Sequence, residues 1–162
     1  METLSNLYEI VLFTSATKEY ANSIMDVIDP MKKYVKYRLY REHVIKKENV
    51  SVKDLSLLGR DLNKVIIIDN IMENFCMQPD NGLVIKSWKN DIYDCELKSL
   101  LGILIEIGKR DVKDVREVVK EIKRVCCEKI LINSEGKYSK VDIKCIIDDI
   151  NNSSNSKGNN NN

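Results

Sequence analysis

Two short apolar runs end in residues able to do chemistry. Val65-Ile66-Ile67-Ile68 stops at Asp69-Asn70, and Ile10-Val11-Leu12-Phe13 stops at Thr14-Ser15. A carboxylate at the end of a buried strand is a hard, rigidly aimed oxygen donor, suited to Mg²⁺. Asn70 beside it could support the metal through water. Asp-Asn is also a common turn pair, and on spacing alone the turn or cap reading of Asp69 is the stronger one. The hydroxyls of Thr14 and Ser15 could donate to a phosphate oxygen, or cap the helix that follows. Lys53, between Val52 and Asp54, and Arg41 are the cations to weigh beside them. Taken singly, a lysine is usually a solvated surface residue, and Arg41 beside Glu42 is half of a modest ion pair. The residues alone give an α/β domain with a candidate anion and metal site.

The elements that must hold these residues follow from periodicity. Residues 10–14 and 65–68 read as buried strands, being continuous apolar runs rich in β-branched residues. Leu83-Val84-Ile85 is a shorter strand, and Tyr37-Arg38-Leu39-Tyr40 another. Tyr20, Ile24, Val27 and Ile28 recur at helical spacing, and Pro30 ends that helix. Lys46-Lys47-Glu48-Asn49 marks a turn. Asp54 caps a helical turn through Leu58, with Gly59 as its stop. Asp94 opens a helix carrying Leu97, Leu100, Leu101 and Leu104, with Gly108 past its end. Asp111 opens the next, with Val115, Val118, Val119 and Ile122. Ile143, Ile146, Ile147 and Ile150 predict a last helix. Residues 151–162 are Asn, Ser and Gly with one Lys, and are expected to be disordered. Strands alternating with helices predict a mostly parallel sheet covered on both faces. Ligands bind such sheets beyond the carboxyl ends of the strands, where Thr14 and Asp69 stand.

Composition sets the outer bounds. The chain has 162 residues and a formal net charge of +1. That length suits one domain with a core, and the charge advertises no nucleic-acid or membrane surface. No apolar run reaches membrane-span length, and Glu2 stands where a secretory signal would be basic. The five cysteines include no Cys-x-x-Cys pair, and His43 is the single histidine. This favours free thiols in a reducing compartment over disulfides or a zinc site.

The motifs, in order, resemble a known family. Tyr8-Glu-Ile-Val-Leu-Phe-Thr-Ser-Ala is similar to its second motif. Tyr20-Ala21, Asp29-Pro30 and Tyr37-Arg-Leu-Tyr-Arg-Glu-His43 follow at the usual distances. Val52-Lys-Asp-Leu-Ser56, Leu58-Gly-Arg-Asp-Leu62 and Val65-Ile-Ile-Ile-Asp-Asn70 form the most specific run. Gln78-Pro79-Asp80-Asn81, Ser87-Trp88 and Asp94-x-Glu96-Leu97 complete it. Many motifs at the right spacings make chance resemblance remote. The family is that of the RNA polymerase II C-terminal-domain phosphatases, of haloacid dehalogenase type. It includes the small, Dullard-type and nuclear LIM interactor-interacting factor-like proteins. The resemblance spans residues 1–125, with 126–150 a helical extension.

The resemblance implies a Rossmannoid three-layer fold with a mostly parallel sheet. It also implies a Mg²⁺-dependent protein serine/threonine phosphatase that forms an aspartyl-phosphate. By resemblance, Thr14 hydrogen-bonds the phosphoryl group, Lys53 balances its charge, and Ser15 and Arg41 lie at the substrate phosphate. Asp69 is the metal ligand, with Asn70 acting through water. The implied partner is a phosphoserine or phosphothreonine segment such as the polymerase tail, without direct nucleic-acid contact. The implied location is intracellular, in the nucleus or cytoplasm rather than the mitochondrion.

The departures carry equal weight. The family's nucleophile lies in an Asp-x-Asp-x-(Thr/Val) motif on the central strand, and no such motif precedes Thr14. The expectation is therefore a domain lacking its first strand, poorly stable and without turnover on its own. Ile71-Met72 replaces the family Ser-Pro beside the metal. Gly82 and Gly102 replace residues more often Ala and Pro. The alternatives are a non-catalytic protein-binding module, like the mitochondrial inner-membrane import receptor, or a degenerate paralogue.

Overall fold

The computed structural model describes residues 1–110, 112–130 and 142–158. A single turn, α1 (Glu2–Ser5), leads into β1 (Ile10–Phe13). Helix α2 (Lys18–Ile28) crosses to β2 (Val35–Leu39), which pairs parallel with β1. A hairpin follows, β3 (Ile45–Lys47) and β4 (Val50–Val52), with Glu48 at φ 51 in its turn. Strand β5 (Ile67–Asp69) pairs parallel with β6 (Gly82–Val84), Asp69 lying opposite Val84. Helices α3 (Glu96–Lys109), α4 (Val115–Ile130) and α5 (Ile143–Gly158) complete the chain. The fold is α/β with parallel strand pairs, as the alternation of elements predicts. Among the described residues the strands form three two-stranded sheets rather than one continuous sheet.

The core sits between α3, α4, α5 and strand β6. Leu83, Leu100, Val118, Val119 and Ile122 are fully buried in one cluster with Ile143, Ile146 and Ile147. Val118, Val119, Ile122 and Cys126 recur at three and four residues, a stripe on a helix that packs against α5 and β6. Helix α4 therefore runs straight through position 125, where the sequence reading placed a boundary. Helix α5 continues past Ile150, over the first part of the segment expected to be disordered, to Gly158. A helix nucleated by a packed isoleucine face propagates more readily than its composition suggests. Residues 159–162 lie outside the described residues.

Two helix signals resolve differently from the pattern. Gly108 lies inside α3, not past its end. A Cβ there would stand 2.9 Å from the Tyr8 ring and 3.0 Å from Leu7 Cβ. Glycine thus admits the turn that feeds β1, and the Tyr8 hydroxyl donates to the Leu104 carbonyl at 2.6 Å. Burial pushes the Tyr8 phenol up to about 12. The cap of α4 is Asp114, whose Oδ1 accepts the Arg116 amide at 2.9 Å; the expected cap, Asp111, lies outside the described residues.

Helix α2 shows the largest contrast with its pattern. The helix forms as expected, but all four residues of its expected stripe, Tyr20, Ile24, Val27 and Ile28, are exposed, Val27 to 82%; the buried positions are Ala21 and Met25 instead.

Candidate functional site

A buried ion pair anchors the carboxyl end of β5. Lys53 Nζ lies 2.5 Å from Asp69 Oδ2, with side-chain exposures of 10% and 2%. A buried pair of this kind holds only when its remaining hydrogen-bonding capacity is met. Here Asp69 Oδ1 accepts the Ile71 amide at 2.8 Å and the Asn74 side-chain amide at 3.1 Å. The Lys53 amide in turn donates to the Asn74 carbonyl at 2.6 Å. Asp69 is thus the end of a strand, the acceptor of a tight turn and the partner of a lysine at once.

Lys53 is delivered by the end of β4, and the next residue secures it there. Asp54 Oδ1 accepts the Ser56 amide at 3.0 Å and the Ser56 hydroxyl at 2.7 Å. Gln78 clasps the same turn, donating to Asp54 Oδ1 at 2.8 Å and accepting the Leu55 amide at 3.0 Å. The Ser56 hydroxyl, with the Gln78 amide behind it, holds the Asp54 carboxyl below its ordinary value. Gly59 ends the turn at φ 63, the left-handed conformation expected of a stop.

Thr14, Ser15 and Arg41 form a second group at the carboxyl ends of β1 and β2. Thr14 Oγ1 accepts the Ala16 amide at 3.1 Å, so the hydroxyl shapes the strand-to-helix turn. The helix cap is Thr17, which accepts from the Tyr20 amide. Arg41 is exposed; its Nε donates to the Ser15 carbonyl at 2.9 Å, and its amide to the Ala16 carbonyl at 2.9 Å. No hydrogen bond or ion pair joins this group to Lys53 and Asp69 among the described residues. Asn70 is exposed, and its amide nitrogen donates to Ser87 Oγ at 2.9 Å. That bond forms one wall of a cleft of about 410 Å³, lined also by Ile85, Lys86, Trp88 and Leu97.

Three residues that position the site escape the sequence reading as site residues. Asn74 touches both members of the ion pair. Gln78 appears there only as part of a motif. Asp29, read as the residue before proline, is buried and accepts the backbone amides of Lys33, Tyr34 and Val35 at 2.8–3.0 Å. The Val35 amide is the main cause that holds its carboxyl below the ordinary value. It fixes the entry into β2. The one sequence signal for Asn74 is a polar residue five places past the strand that still precedes a buried aromatic.

Gly82 has a plain structural cause. A Cβ there would lie 2.0 Å from the Phe75 ring. Phe75 is fully buried and fills the space that a side chain at 82 would need. Gly102 has open space around it, and nothing in the structure explains its departure from the family pattern.

Comparison with known proteins places this geometry. The family model described as NLI interacting factor-like phosphatase matches residues 1–116. CTD small phosphatase-like protein 3 of Caenorhabditis elegans is 40% identical over 74% of this chain and 42% of its own length. Phosphatase Herzog of Drosophila melanogaster is 37% identical over 68% of this chain and 31% of its own. The mitochondrial import inner membrane translocase subunit TIM50 of Kluyveromyces lactis is 40% identical over 72% of this chain and 24% of its own. The chain thus spans less than half the length of the curated relatives it matches. The solved structure of Fcp1, an essential RNA polymerase II CTD phosphatase, covers 98% of this chain and 49% of its own. Its TM-score is 0.49 and its identity 19%, so the fold assignment rests on the family match and the strand topology.

The relatives named as mitochondrial import subunits correct one expectation. They are as similar in identity to this chain as the named phosphatases, so preference for nucleus or cytoplasm over the mitochondrion does not stand. Among the described residues no helix is long and apolar enough to cross a membrane. From its motifs, its buried lysine–aspartate pair and the model match over residues 1–116, the chain belongs to the NLI interacting factor-like phosphatase family of the haloacid dehalogenase superfamily.

Proposed function

We propose that this chain carries the phosphate- and metal-handling part of a protein serine/threonine phosphatase that works through an aspartyl-phosphate. On this reading it lacks the Asp-x-Asp nucleophile motif and has no turnover alone. The observation that carries the proposal is the buried Lys53–Asp69 pair at the carboxyl end of a parallel strand. Lysine held at a strand end supplies fixed positive charge where a phosphoryl group gains negative charge, and such transfers depend mostly on positioning and electrostatics.

The donor set fits Mg²⁺ in part. Magnesium commonly takes one or two carboxylates and completes its shell with water and substrate phosphate. Asp69 offers one hard carboxylate, and among the described residues no cluster of three or more His, Cys, Asp or Glu surrounds it. Asp69 would hold the ion directly. Asn70 would hold a metal-bound water through its Oδ1, because its nitrogen is engaged by Ser87. When bound, the ion would supply neutralisation of phosphate charge. Thr14 and Ser15 would donate to phosphoryl oxygens, and Arg41 would face the substrate phosphate from the end of β2. The substrate class is a phosphoserine or phosphothreonine segment. We further propose that residues 1–125 form the phosphatase-like part and that α5 braces it.

The test is hydrolysis of a phosphoserine peptide by the 162-residue chain, with and without Mg²⁺. The expected result is no turnover alone. A version extended upstream with an Asp-x-Asp-x-Thr strand should gain Mg²⁺-dependent turnover that Asp69→Asn abolishes. Mg²⁺-dependent hydrolysis by the chain alone would refute the missing-nucleophile reading. A second reading, a non-catalytic protein-binding module, is favoured by the TIM50 relatives. It predicts that the extended version binds an unphosphorylated segment and stays inactive.

A further inference from the structure

The loop after Asp69 poses a specific problem. It carries Ile71-Met72 where the resembling family has Ser-Pro, so no proline ring fixes its backbone. The loop is nonetheless tied to the site. Asp69 Oδ1 accepts both the Ile71 amide and the Asn74 side-chain amide, and the Asn74 carbonyl accepts the Lys53 amide. Asn74 is only 8% exposed, and both of these bonds go to members of the ion pair.

We propose that Asn74 is a positioning residue of this site. Its side-chain amide sets the rotation of the Asp69 carboxylate so that Oδ2 faces Lys53. Its carbonyl sets the backbone from which Lys53 extends. A carboxylate torsion is broad when nothing holds it. Without the Asn74 donor, Oδ1 keeps only the Ile71 amide, and the buried pair loses its fixed geometry. Asn74 thereby ties a loop that has no proline at position 72 to both members of the ion pair. The functional weight of this inference rests on the reading of Asp69 as metal ligand; the positioning itself does not.

Acylation of Lys53 by a water-soluble amine reagent, followed by mass spectrometry of the full chain, tests it. The expected result is slow labelling of Lys53 in the parent protein and several-fold faster labelling in Asn74→Ala. Asn81→Ala is the control. Asn81 is also buried, but its amide donates to the Leu62 and Val65 carbonyls and does not touch the pair. Its loss should leave Lys53 labelling unchanged relative to the other lysines. If Asn74→Ala does not fold, Asn74→Leu keeps the volume and removes the donor without adding a charge beside Asp69, and should show the same rise. Unchanged labelling in a folded Asn74 variant, or an equal rise in Asn81→Ala, would overturn the proposal. Calorimetric titration with Mg²⁺ on the same proteins separates the two readings. About tenfold weaker binding in Asn74→Ala supports both. Absence of Mg²⁺ binding to the parent, with the labelling difference intact, refutes the metal reading and leaves the positioning role standing.

Discussion

The helical layer and the β1–α2–β2 unit are built from similar apolar content and end in opposite states. In α3, α4 and α5 the stripes interlock, and Leu100, Val118, Val119 and Ile122 are fully buried. In β1 every residue is only half-buried, and α2 leaves Tyr20, Val27 and Ile28 in solvent. The difference lies in partners. A helical stripe of the right period finds another stripe within this chain, whereas among the described residues β1 pairs with β2 alone. Hydrophobic burial scales with the apolar area removed from water, so stability is concentrated away from Thr14 and Arg41. Lys53 and Asp69 occupy the middle ground, just past β4 and at the end of β5, where Phe75 and Leu55 supply a second, smaller core.

The largest expected effect is at that middle ground. Lys53→Met leaves Asp69 buried without its cation, and breaking a buried pair this way costs about 3–5 kcal/mol. Urea denaturation of the full chain measures it, and a loss below about 1 kcal/mol would show the pair to be solvated. Ile122→Ala in the helical layer should cost about 2–5 kcal/mol, whereas Val27→Ala on α2 should stay within about 0.5 kcal/mol. Equal losses at the two positions would erase the contrast between the regions. Gly82→Ala forces a Cβ into the Phe75 ring and should cost about 1–3 kcal/mol. A neutral result would mean that the ring moves aside freely.

A smaller effect concerns acid. Asp29 is held below its ordinary value of 3.8 by three backbone amides. A carboxyl whose folded value is depressed contributes stability that is present above its unfolded value and is lost as pH falls through the folded one. Asp29→Asn should therefore reduce stability near neutrality and flatten the acid limb below about pH 4. Denaturation across that range checks it, and parallel curves for parent and variant would contradict it.

What was legible in the sequence follows the range of the interactions. The strand ends at Thr14 and Asp69 stand out because an apolar run stops abruptly at a polar residue, a local signal. The Asp54 cap and the Gly59 stop are equally local. The burial of Lys53 was not legible, because a lone lysine gives no sign that a carboxylate sixteen residues later will enclose it. Asn74 reads as an ordinary turn residue until its two partners are brought together by the fold. Gly82 looked arbitrary because its cause, the Phe75 ring, is a contact across a turn rather than a periodicity. The α2 stripe was read correctly as apolar and helical, but periodicity shows a face and not whether anything covers it.

The helical layer carries the stability of this chain, while the β1–α2–β2 unit that bears Thr14, Ser15 and Arg41 is weakly held. Amide hydrogen exchange on the full chain tests it most directly, since it reports local opening region by region. The predicted result is slowest exchange in α3 and α4, intermediate exchange at β5 around Asp69, and exchange at least about tenfold faster in β1, α2 and β2. Uniform protection across all these elements, lost in one cooperative step, would contradict it.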